Sequence, residues 1–101
     1  MTLSLEDTKK EISAEIREIE LFLIAKNNAY GNSISDPIRI FSELSILDSL
    51  RVRIDDKLSR IARGVNREKI DEDTELDLIG YLIMKRIHEK RLLKEEQKLE
   101  L

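Results

Sequence analysis

The chain of 101 residues has no cysteine, one proline, three glycines, one histidine and four aromatic residues. Each shortage excludes something. Without cysteine there is no disulfide, no thiolate metal site and no cysteine nucleophile. Few aromatics and one proline, beside 39% charged residues, suit a helical bundle of narrow cross-section. Charge of one sign is also lacking: 18 basic residues face 21 acidic ones, a net charge of -3. That balance argues against non-specific binding to duplex nucleic acid, which needs a strongly basic face. It leaves room for a local basic pocket. No apolar run approaches 18 residues and no signal-peptide core is present, so the expectation is a soluble, cytoplasmic protein without a membrane partner. There is no phosphate-binding glycine loop, no zinc spacing and no internal repeat. The single histidine, His88, has no metal-binding neighbour in sequence and reads as a surface residue.

What is present is helical periodicity, and the longest stretch of it runs from Asp36 to Gly64. Asp36 is the expected N-cap, Pro37 suits the first helical position, and Gly64 can take the left-handed conformation that ends a helix. Between them Ile40, Leu44, Leu47, Ile54, Leu58 and Ile61 form one stripe at helical spacing. A helix over 37–63 would be about 40 Å long. Arg53, Lys57 and Arg60, at i, i+4 and i+7, form a column roughly a quarter turn from that stripe. Their stems would lie on the core edge and their heads in a groove. Asp55 and Asp56 stand off the column, so it is not expected to be neutralised within its own helix. The blander reading is a solvated flank.

The spacing predicts a first helix over 4–26, with Leu5, Ile12, Ile16, Ile19 and Leu23 as its buried stripe. Ser4 stands at its start and Asp7 in its first turn. Glu11, Glu15 and Glu18 share another face, which is either a solvated acidic column or a holder for a divalent cation. A break rich in turn formers follows, Asn27 to Ser33. Gly31 and the asparagines permit positive φ there, Tyr30 offers a flat face, and Asn28, Asn32 and Ser33 offer donors and acceptors. Such a turn can hold a base and a phosphate, or be a loop plugged by one tyrosine. A third helix is predicted over 72–97, with Asp71 as N-cap and Glu72 and Asp73 in its first turn. Leu76, Ile79, Ile83 and Ile87 form its stripe, and Asp73, Asp77, Gly80, Tyr81 and Met84 an adjoining face. Gly80 within a helix costs about 1 kcal/mol relative to alanine, which points to close helix packing. Residues 88–101 read as a helical extension. The expected fold is all-α: one domain over 1–101, three long helices in an elongated bundle completed by self-association.

Three separated motifs appear in order. They are Lys26 with Ala29-Tyr30-Gly31-Asn32-Ser33, then Arg53-Ile54-Asp55-Asp56-Lys57-Leu58-Ser59-Arg60, then Asp73-Thr74-Glu75-Leu76-Asp77-Leu78-Ile79-Gly80-Tyr81. Over about residues 22–84 the chain resembles the nucleotide modification associated domain family, small proteins common in bacteriophages and prophages. The resemblance implies an all-helical domain tied to phage nucleotide chemistry, working in the host cytoplasm. Taken together with the cation column and the turn, the expectation is a nucleotide-like ligand held by Lys26, Asn28, Tyr30, Gly31, Asn32, Ser33, Arg53, Lys57, Arg60, Asp77 and Tyr81, with no cofactor. On this reading the protein binds a modified nucleotide or sequesters a nucleotide signal without transforming it. The chain is more loosely similar to helical nucleotide pyrophosphatases, in which Glu15, Glu18, Asp73 and Asp77 would hold magnesium against a triphosphate. Its third helix does not reproduce their paired carboxylate motifs. The remaining alternative is a non-catalytic helical oligomerisation module.

Overall fold

Three α-helices carry the chain: α1 (Leu5–Ala29), α2 (Ile46–Arg63) and α3 (Thr74–Leu99). The fold is all-α. The structure, a computed structural model, describes residues 2–35, 44–64 and 73–99. The helices fall into two units, one holding α1 and the other α2 and α3.

In the first unit α1 opens on a reciprocal cap. The Asp7 N–H donates to the Ser4 hydroxyl at 3.1 Å, and the Asp7 carboxylate accepts from the Ser4 hydroxyl at 2.8 Å and the Ser4 N–H at 3.2 Å. Two of the amides that a helix start leaves without partners are satisfied this way. At the other end α1 continues three residues past the predicted Lys26. Of its expected buried stripe only Leu23 is buried, and Ile19 is half-buried. Leu5, Ile12 and Ile16 are 74%, 56% and 61% exposed, and Leu23 is the only buried residue of the helix. A stripe is buried only against another surface, and among its described residues the first unit holds no second helix.

In the second unit α2 is shorter than expected. Ser45, in extended backbone at φ -61° and ψ 162°, interrupts the predicted continuous helix, and its hydroxyl accepts from the Asp48 N–H at 3.1 Å. The 18 residues from Ile46 to Arg63 span about 27 Å. The predicted start at Asp36 and Pro37, and Ile40 of the stripe, lie outside the described residues. The predicted end holds: Gly64 is left-handed at φ 66° and donates its N–H to the Ile61 carbonyl at 3.1 Å. On α3 the capping place expected of Asp71 is taken by Asp73. Its carboxylate accepts from the Leu76 N–H at 2.9 Å and its carbonyl from the Asp77 N–H at 3.0 Å. Asp71 and Glu72 are outside the described residues.

Two cross-helix contacts, Arg53 with Tyr81 and Lys57 with Asp77, set α2 and α3 antiparallel: four residues up one helix is four residues down the other. The same register puts Ile54 level with Gly80, Leu50 level with Met84 and Ile46 level with His88. Leu50, Ile54 and Gly80 are buried. The register thus sets the buried Gly80 at the level of the buried Ile54. Burial on α2 follows Leu50, Ile54 and Lys57, with Leu47 half-buried, a face turned roughly 30° from the predicted stripe toward the cations. Leu44, Leu58 and Ile61 of that stripe are exposed. His88, expected at the surface, is buried, one and two turns beyond Met84 and Gly80 on the same face. Past His88 the register has no α2 residue left to meet, and residues 90–99 are all exposed.

Candidate ligand site on the α2–α3 face

The predicted column of cations is three residues with three different surroundings. Arg53 is exposed. Its guanidinium carbon lies 5.8 Å from the centroid of the Tyr81 ring, and its Nη1 donates to the Tyr81 hydroxyl at a long 3.4 Å. A cation over an aromatic face is attracted by the ring quadrupole, and here the attraction also fixes where the guanidinium points. Lys57 is buried, its Nζ 3.4 Å from Asp77 Oδ2, with side chains only 11% and 20% exposed. Its stem belongs to the packed face and its charge is met by α3. Arg60 is half-buried, its Nε 3.3 Å from Asp56 Oδ2 one turn back. The expectation that the column escapes neutralisation within its own helix is thus corrected: an i,i+4 pair forms, because the long Arg60 side chain reaches back across one turn.

The α3 side of this face is also paired. Lys85 donates to Glu89, and that contact holds the Glu89 carboxyl below its ordinary range, with smaller help from Arg51 on α2 and Arg86. Tyr81 is half-buried.

The turn after α1 belongs to the first unit and is built around a residue the motif reading passed over. The Asn27 carbonyl accepts from the Asn32 N–H at 2.8 Å, its side-chain amide donates to Asn32 Oδ1 at 3.1 Å, and its Oδ1 accepts from the Ile34 N–H at 2.9 Å. Gly31 and Asn32 are both left-handed, each at φ 64°. Asparagine is one of the few residues that tolerates this conformation, and it closes such turns through its side chain. The signal was the Asn27-Asn28 doublet, of which only Asn28 was singled out. A Cβ added at Gly31 would meet nothing within 4 Å. Tyr30 and Asn28 are exposed and Ser33 is half-buried, so Tyr30 is not a plug. Lys26 places its ammonium 4.8 Å from the Phe22 ring centroid.

The carboxylates of the magnesium reading are divided between the two units. Glu15 and Glu18 are exposed on α1, Asp73 caps α3 and Asp77 meets Lys57. Among the described residues no three His, Asp or Glu side chains gather as a metal ion would require. No helix is long and apolar enough to cross a membrane among those residues. No protein-family model, curated protein or solved structure matches the chain, so the family resemblance rests on the motifs quoted above alone.

Proposed function

We propose that the protein binds a nucleotide or nucleotide-like ligand without transforming it, at the Arg53–Tyr81 pair of the second unit. One observation carries the reading: an exposed guanidinium, held over a tyrosine from the facing helix, makes no ion pair among the described residues. A phosphate binds best to donors already in place, since ordering each long side chain costs roughly 0.5–1.5 kcal/mol. The Tyr81 contact supplies part of that order, and the fork of Arg53 matches two phosphate oxygens. Calorimetric titration with a nucleotide panel at fixed salt tests it. Arg53→Ala is expected to weaken binding ten- to hundredfold, with melting temperature near the parent value. No binding of any nucleotide, or equal affinity in the variant, would sink the assignment.

A second reading, a helical self-association module, is favoured by α1. Leu5, Ile12, Ile16 and Ile19 keep the alternating three- and four-residue spacing, with a seven-residue gap at Lys9, of a coiled-coil seam, and the first three are exposed. The partner such a seam fits is the same seam on a second copy. A monomer mass by light scattering at micromolar concentration would remove this reading.

A further inference from the structure

The α2–α3 face carries Arg53, Lys57, Arg60 and Lys85, yet three of these charges are met by carboxylates. Lys57 sits against Asp77, Arg60 against Asp56 and Lys85 against Glu89. Arg53 has a neutral partner, the Tyr81 hydroxyl. Of these four charges Arg53 alone is met by a neutral group, with the Asp77 and Asp56 carboxylates each about one turn along from it.

We infer that the ligand of this face is a nucleotide carrying one phosphodiester, a single negative charge, and not a nucleoside triphosphate. The inference rests on the nucleotide-binding reading above and names its ligand class. A diester offers two non-bridging oxygens and one charge, which the outward edge of one guanidinium satisfies. A terminal monoester carries up to twice that charge near neutral pH. Each further phosphate would lie toward carboxylates that already hold the neighbouring cations. Drawing Lys57 away from Asp77 would break a cross-helix ion pair whose side chains are only 11% and 20% exposed, so that cation is held against recruitment.

The test keeps the base constant and varies the charge: a 3′,5′-cyclic mononucleotide, the 5′-monophosphate and the 5′-triphosphate, with a dinucleoside monophosphate as second diester. Each is titrated into the full chain at two salt concentrations. The two diesters are expected to bind within threefold of each other, and at least as tightly as the triphosphate. Arg53→Lys, which keeps the charge and loses the fork, is expected to weaken diester binding about tenfold. A triphosphate binding tenfold tighter than the diesters would overturn the ligand class and leave the nucleotide reading standing. Binding by none of the four would overturn both. Binding that Arg53→Lys and Arg53→Ala leave unchanged would move the site off this face.

Discussion

Lys57 is the residue whose place the sequence misleads about most. Its spacing from Arg53 and Arg60 makes it one of a column, and a polarity pattern assigns every lysine to the surface. The structure buries it in line with Leu50 and Ile54, because Asp77 on α3 stands where its ammonium arrives. No pattern within one helix carries that information; it needs the register between two. Under the proposed function the labour is divided, with Arg53 left for a ligand and Lys57 holding α2 to α3. Lys57→Ala is expected to destabilise by about 3 kcal/mol, since it breaks the cross-helix ion pair with Asp77 and truncates a buried side chain. The check is chemical denaturation, and a loss below about 0.5 kcal/mol would return Lys57 to the ligand set. Asp7 is the opposite case, legible from Ser4-x-x-Asp alone. Hydrogen bonds from the Ser4 hydroxyl and N–H hold its carboxyl below the ordinary 3.8. A depressed value means the cap's stabilisation is fully present above that ordinary value and is lost as pH falls through the lowered one. Carboxyl titration by NMR is expected to give a midpoint below 3.8, rising toward it in Ser4→Ala.

At the scale of the helix, types and ends were read unequally. All three helices were legible, since a 3.6-residue apolar period survives any tertiary detail. The end of α2 was legible because Gly64 does what few other residues do at φ 66°. Its start was not, because Asp-Pro is a stronger written signal than Ser45-x-x-Asp48, and the cap that forms was hidden inside an apolar run. On α3 the trio Asp71-Glu72-Asp73 offers competing caps, and the third is used. The phase of α2 was off by roughly 30°. That shift has a measurable effect: Ile54→Ala is expected to cost about 2–4 kcal/mol, whereas Leu44→Ala, 46% exposed just ahead of α2, is expected to cost well under 1 kcal/mol. Equal losses on thermal melting would mean that the phase predicted from the sequence is the right one. The candidate site was legible only in part. Arg53 and Tyr81 were both named, but their meeting depends on antiparallel pairing that single-helix periodicity does not contain.

For the molecule as a whole, the consequence of α1's open face is a matter of cooperativity. The second unit has a packed interface and an ion pair between its helices, so its residues melt together. α1 buries Leu23 alone, and a helix held mainly by its own hydrogen bonds and cap unwinds over a broad temperature range. Heating is therefore expected to give two events by circular dichroism: a shallow early loss of helix from α1, and a sharper later one from α2 and α3. The calorimetric enthalpy should exceed the van't Hoff value of the sharp step, whereas a single coincident transition at every wavelength would contradict this. Concentration then separates the two functional readings by mass action. If α1 pairs with a second copy, the early event shifts upward with protein concentration and merges with the later one, while Ile12→Asp holds it low at every concentration. A nucleotide bound at Arg53 would raise only the second event.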